Sequence, residues 1–172
     1  MEFENKILSR EIQENLYSTG KTLSTAESCT GGHVAQSIIA IPGASDYFKG
    51  GIVCYTNEIK ERLLGVPAEL IEEKTAVCEE VAVAMVKGAV KTMATDYAVA
   101  VTGVAGPGGG TKEIPVGTIW LACGTKDKVI TRKVEEDHGR DINLAIATNV
   151  AIQLFRDFLK QEDVEEAEAS AE

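Results

Sequence analysis

An α/β fold, a three-layer α/β/α sandwich around a mixed sheet, is what this sequence predicts. Short apolar and β-branched runs alternate with stretches of helical periodicity through the first two thirds of the chain, and a hairpin pattern followed by a helical one closes it. The length of 172 residues suits one continuous core rather than two. With no internal repeat and no linker composition, residues 1–162 are expected to form a single domain.

The elements follow in order. Phe3, Ile7, Ile12 and Leu16 recur at near-helical spacing and the stretch stops at Gly20, so residues 4–19 read as an amphipathic helix. Residues 22–27 read as a short strand, and residues 33–41 as a helix ended by Pro42 and Gly43. Ser28 therefore lies at a strand-to-helix turn. Residues 51–55 form a buried-type strand, after which Thr56 or Asn57 can cap a helix through Lys60 to Gly65. A longer helix spans 79–94, and 97–102 is an apolar run of the kind buried on both faces. Residues 103–117, GVAGPGGGTKEIPVG, hold too much glycine and proline for a regular element and read as a long, functionally suspect loop. Two strands at 118–124 and 129–135 flank the turn TKDK, and residues 142–159 form the closing helix.

Composition excludes several classes. No apolar run approaches the ~20 residues that cross a bilayer, and the acid-bearing N-terminus lacks the basic-then-apolar order of a secretory signal, so a cytoplasmic location is the expectation. Cys29, Cys54, Cys78 and Cys123 are scattered, with no CxxC pair, and His33 and His138 form no HExxH pattern; free thiols and no protein-ligated metal are expected. Seventeen Lys and Arg stand against 27 Asp and Glu, a net charge of −10 that disfavours nucleic acid and anionic membranes as partners. Five of those charges sit in the last ten residues, DVEEAEASAE, so 163–172 is expected to be a disordered acidic tail.

Two segments carry candidate chemistry. TAESCTGG, residues 25–32, places a hydroxyl and a thiol ahead of a Gly-Gly pair at a helix start, where unsatisfied backbone N–H groups can hold an oxyanion or phosphate. On the residues alone, ordinary N-capping explains Ser28 as well as nucleophilic attack does. CYTNEIKERL, residues 54–63, sets Tyr55 at a strand end and Lys60 in the next helix, a pattern that packing and a solvated charge also explain. The loop GPGGGTK satisfies neither the GK[ST] ending of a Walker A motif nor a GxGxxG, although its amides could hold a substrate phosphate or ribose.

TAESCTGG, GIVCYTNEIKERLLGV, VAVTGVAGPGGG followed by PVGTIW, and GRD after the hairpin occur in that order, covering about residues 22–159. In these motifs the chain resembles the C-terminal domain family of the competence/damage-inducible protein CinA. The resemblance implies hydrolysis of the carboxamide of nicotinamide mononucleotide to nicotinic acid mononucleotide and ammonia, a salvage step needing no organic cofactor. It also implies Ser28 as nucleophile with Tyr55 and Lys60 as activating partners. Thr30, Gly31, Gly32, Thr102, Gly103, Gly106, Pro107 and Gly108 would surround the substrate, and Arg140 would supply a substrate-binding or transition-state cation. Family members also occur fused to a further N-terminal domain, for which this chain has no residues.

That chemistry makes one demand. Serine must pass its proton to a base as it attacks, and an unperturbed lysine is neutral in only about one molecule in a few thousand near pH 7. Lys60 can therefore serve only if burial or a nearby cation such as Arg140 depresses its pKa, with Tyr55 relaying the proton or orienting the amine. The N–H groups of residues 29–31 are the expected oxyanion donors. Alternatives remain: Cys29 as nucleophile, His33 or His138 as base, a different amide as substrate, or a catalytically silent nucleotide-binding or protein-interaction module. A symmetric dimer is expected only from the habit of small α/β enzymes.

Overall fold

A computed structural model describes residues 2–171; the side chain of Phe3, expected on the first helix, lies outside the described residues. The chain runs α1 (Glu2–Thr19), β1 (Leu23–Glu27), α2 (His33–Ile39), a 3-10 turn at Ala44–Asp46 and β2 (Phe48–Val53). It continues through α3 (Asn57–Leu64), α4 (Ala68–Lys74), α5 (Glu79–Met93), β3 (Tyr97–Gly103), β4 (Ile119–Gly124), β5 (Val129–Val134) and α6 (Arg140–Ala171). The five strands form one sheet in the order β2-β1-β3-β4-β5. β2, β1 and β3 are parallel, whereas β3, β4 and β5 run antiparallel, so the expected mixed sheet is present.

Alternation along β3 builds the two cores. Tyr97, Val99 and Val101 face one side, where they meet Ile12 and Leu16 of α1, Val34 and Ile38 of α2, and Phe155 of α6. Ala98 and Ala100 face the other side and pack with Ala26 and Ala122 beneath Val81, Met85, Val86 and Ala89 of α5. Bulky side chains thus hold one helical layer off the sheet, and alanines draw the other close. Edge-on contacts of Tyr97 with Phe155 and Phe158, at 5.6 and 6.0 Å between ring centres, lock α6 to the sheet.

Three expectations need correction. Where disorder is expected over 163–172, the described residues are helical, because α6 runs without interruption to Ala171. The segment contains no glycine or proline, alanine and glutamate favour helix, and polar residues of neighbouring elements receive its acids. Lys21 meets Glu166 at 2.8 Å, Lys128 meets Glu162 and Glu165 at 2.8 and 2.6 Å, and Asn15 donates to Asp163 at 2.8 Å. The strand expected over 51–55 instead begins at Phe48 and ends at Val53, because Thr56 caps α3 and the chain must turn before it. Finally, α4 and the 3-10 turn are additions to the expected elements: at seven and three residues, neither is long enough to show a helical period.

One close approach couples the fold to the site. A Cβ added at Gly88 of α5 would lie 2.0 Å from the carbonyl oxygen of Leu64 in α3, the helix that carries Lys60. Helix propensity alone would make Gly88→Ala stabilising by about 1 kcal/mol. Backbone overlap decides the sign the other way, so a loss of about 1–3 kcal/mol is expected in urea unfolding, and a gain in stability would refute the packing argument.

Candidate active site

The topology creates a crevice before any side chain is considered. From β1 the chain passes through α2 to β2 on one side, then through α3, α4 and α5 to β3 on the other side of β1. The connections leaving the carboxyl end of β1 and its neighbours therefore diverge there, the usual place for a ligand in an open parallel sheet. Ser28 is the first residue beyond β1, and its N–H donates to the Val101 carbonyl at 2.9 Å. Gly31 and Gly32, with φ of 58° and 107°, turn the chain sharply from Ser28 into α2, a conformation that suits residues without a Cβ.

Lys60 reaches the same point from the other side. Thr56 caps α3 by accepting from the Ile59 N–H, which aims the first turn of the helix at the end of β1. Lys60 is 2% exposed, and its Nζ lies 2.9 Å from Ser28 Oγ. It also donates to the carbonyls of Cys54 at 2.9 Å and Tyr55 at 3.5 Å. Among the described residues no carboxylate pairs with it. Burial without a counter-ion penalises the ammonium form and pulls the Lys60 pKa below its ordinary value of 10.5. Desolvation leads this shift, so of the two causes offered above, burial or a nearby cation, burial is the one at work.

Ser28, Cys29, Tyr55, Gly103, Val104, Ala105, Gly106, Gly108 and Arg140 line a cavity of about 180 Å³. Arg140, the first residue of α6, is held at its wall by donating from Nη1 to the Gly106 carbonyl at 2.7 Å. Asn143, one turn further on, is buried and donates to the Ala105 carbonyl at 3.1 Å and to Asp137 at 2.9 Å, tying the glycine-rich loop to the start of α6. A larger groove of about 410 Å³ between α1, α2 and α6 contains His33 and Asp141 but no paired nucleophile and base.

With that geometry in view, comparison with known proteins gives a consistent result. The family model of the CinA C-terminal domain matches residues 5–159. The chain belongs to the CinA C-terminal domain family. It is 44% identical over 155 residues to the nicotinamide-nucleotide amidohydrolase PncC of Escherichia coli K12, an alignment covering 89% of this chain and 94% of that protein. A CinA-like protein of Geotalea uraniireducens is 61% identical over 104 residues, which is 60% of this chain and only 25% of that longer relative. Among solved structures, the competence/damage-inducible protein CihA of Agrobacterium tumefaciens superposes with a TM-score of 0.87 at 36% identity, covering 91% of this chain and 96% of that one. The competence damage-inducible protein A of Klebsiella pneumoniae gives 0.86 at 31% identity, covering 91% and 97%.

In this CinA C-terminal domain the residues singled out from sequence divide into two groups. Ser28, Lys60, Tyr55, Gly103, Gly106, Gly108 and Arg140 meet at the cavity. Tyr55 stands at its lip, 61% exposed, and its hydroxyl bonds neither Ser28 nor Lys60 among the described residues; its backbone carbonyl is what contacts the amine. Thr30 and Thr102 lie outside the lining because both are fully buried, Thr102 with its hydroxyl donated to the Ala76 carbonyl at 2.8 Å. Gly31, Gly32 and Pro107 are likewise not in the cavity wall, and the Gly32 N–H is already bonded to Glu27. Sequence reasoning missed Glu27 and Asn143. An acid closing a strand that is otherwise buried was the available signal for Glu27, since such a group must find donors.

The rival candidates are placed differently. Cys29 lines the cavity, but burial pushes its thiol up to about 12, which disfavours the thiolate a cysteine nucleophile requires. Neither His33 nor His138 lines the cavity, and His138 instead meets Glu136 at 3.1 Å on the surface. Among the described residues no group of three or more His, Cys, Asp or Glu is arranged to hold a metal, and no helix is long and apolar enough to cross a membrane.

A buried uncompensated amine has a thermodynamic signature. Below pH 10.5 the unfolded chain holds the Lys60 proton more tightly than the folded one, so folding stability rises with pH between the depressed and ordinary values. Lys60→Met should be at least as stable as the unaltered chain at pH 6, with its advantage shrinking as pH rises towards 10. Melting temperatures of the two proteins across that range test this, and a difference that ignores pH would contradict it.

Proposed function

We propose that this chain is a nicotinamide-nucleotide amidohydrolase, converting nicotinamide mononucleotide and water to nicotinic acid mononucleotide and ammonia. The observation that carries the reading is the 2.9 Å contact between Ser28 Oγ and a buried, unpaired Lys60 Nζ. The extended similarity to the Escherichia coli amidohydrolase, along 94% of that protein, supports the substrate.

In this reading neutral Lys60 removes the Ser28 proton as Oγ attacks the carboxamide carbon. The N–H of Cys29, a residue of the cavity wall beside the nucleophile, makes no backbone–backbone hydrogen bond among the described residues, which suits it to the oxyanion. Lys60 then returns the proton to the leaving nitrogen, ammonia departs, and the acyl group remains on Ser28. Water follows, activated by the same amine, and attack on the ester releases the acid and regenerates the hydroxyl. Arg140, fixed by Gly106, is the cation that lines the cavity and serves to hold the anionic part of the substrate. Tyr55, exposed at the lip of the cavity, contacts the amine through its backbone carbonyl and leaves its hydroxyl free of Ser28 and Lys60 among the described residues.

Ammonia release from nicotinamide mononucleotide tests the assignment. Ser28→Ala and Lys60→Ala should each lower kcat on the order of 10³-fold or more, whereas Tyr55→Phe should cost only about 10-fold. The rate should rise with pH along an acid limb whose midpoint lies below 10.5, set by Lys60 deprotonation. Activity that survives both the Ser28 and the Lys60 substitutions overturns the roles. Calorimetric binding of the nucleotide with no ammonia at any pH would instead identify a silent binding module.

A further inference from the structure

One buried acid beside the nucleophile has no part in the reaction written above. Glu27 is 1% exposed, and its carboxylate is surrounded by donors. Oε1 accepts from the N–H groups of Gly32 at 3.2 Å and Val34 at 2.9 Å, and Oε2 accepts from that of Ala35 at 3.0 Å. The backbone of the same residue points the other way. Its carbonyl accepts from the Cys54 N–H at 2.9 Å, and the Cys54 carbonyl in turn accepts from Lys60 Nζ at 2.9 Å. Glu27 therefore touches both halves of the pair: its side chain grips the far end of the turn that begins at Ser28, and its main chain grips the segment that aims the amine.

The choice of donors matters as much as their number. Gly32, Val34 and Ala35 supply the amides that an approaching anion would otherwise meet at the start of α2, and Glu27 fills them. The amide of Cys29, which follows the nucleophile and lies in the cavity wall, makes no backbone–backbone hydrogen bond among the described residues. We propose that Glu27 is a positioning residue for this active site: by occupying the Gly32, Val34 and Ala35 amides it holds the turn so that Ser28 stays within reach of Lys60 and the Cys29 amide stays available to the oxyanion. This inference rests on the amidohydrolase reading. Glu27 touches neither substrate nor reacting atoms and acts only through the geometry of Ser28.

Glu27→Gln is the sharp test because it conserves size while replacing one oxygen by an NH₂ group. Whichever way the amide is turned, that group faces a backbone N–H, donor against donor. With nicotinamide mononucleotide as substrate, kcat is expected to fall on the order of 100-fold while KM stays within about 3-fold, since misplacement of the nucleophile penalises the transition state and not binding. Ala35→Pro deletes the N–H opposite Oε2 at a first-turn position where proline is tolerated. Added to Glu27→Gln it should recover about 10-fold of the lost kcat, a coupling that general destabilisation would not produce.

A Glu27→Gln protein with unaltered kcat, or one impaired only in KM, overturns the proposal, as does a double variant with no recovery. If Glu27→Gln does not fold, Ala35→Pro alone decides: a lowered kcat at unchanged KM supports the positioning role, and a kcat equal to that of the unaltered chain overturns it. Ser28-dependent ammonia release by the unaltered chain is measured first. Its absence removes the amidohydrolase reading, whereas its presence together with full turnover in Glu27→Gln removes only the role given to Glu27.

Discussion

The structure depends most on a lysine amine placed in the interior with carbonyls and a hydroxyl around it and no carboxylate to pair with. A stabilising core would not choose this arrangement, because an ammonium removed from water loses far more hydration than two backbone carbonyls return. A carboxylate partner would relieve the cost and hold the proton in place, which is what a base must avoid. The cap on α3, the close packing of α3 against α5 and the turn of residues 54–56 all serve to keep Lys60 Nζ 2.9 Å from Ser28 Oγ despite that cost.

The two layers of the sandwich divide the work. Large apolar side chains on one face of the sheet anchor α1, α2 and α6, and these rigid elements deliver the Ser28 turn and Arg140. Small residues on the other face draw in α5 and, through it, the helix bearing Lys60. Ser28 and Lys60 come from opposite sides of the sheet and meet only past the carboxyl end of β1, where the chain reverses its direction of winding. Buried polar ties then fix the irregular parts: Asn143 and Arg140 hold the glycine-rich loop, and Glu27 holds the turn.

Much of this is legible in the sequence. The alternation of apolar runs with helical periods locates five strands and five of the six helices among the described residues, with ends misplaced by a few residues in most and by twelve at the end of α6, where the apolar period stops but the helix does not. Ser28, Lys60 and Arg140 are named through the family motifs, and they do converge. The acidic tail misleads because its polarity is more conspicuous than its helix propensity; the residues that receive its acids, Lys21 and Lys128, are more than 30 positions away in sequence. Thr30 and Thr102 are assigned to the substrate because they fall within the family motifs, yet a residue of a motif can be buried away from the cavity, and both are.

Local pattern was enough to establish the fold class, the turn at Ser28 and the company of residues from which a site could be built, since each depends on spacing within one or two elements. Tertiary packing alone decided which of those residues share a cavity, that Lys60 is stripped of water, that Tyr55 offers its carbonyl and not its hydroxyl, and that Glu27 consumes the amides of α2. The reason is physical: protonation state and hydrogen-bond partnership depend on what surrounds an atom in space, and those surroundings are assembled from segments far apart along the chain.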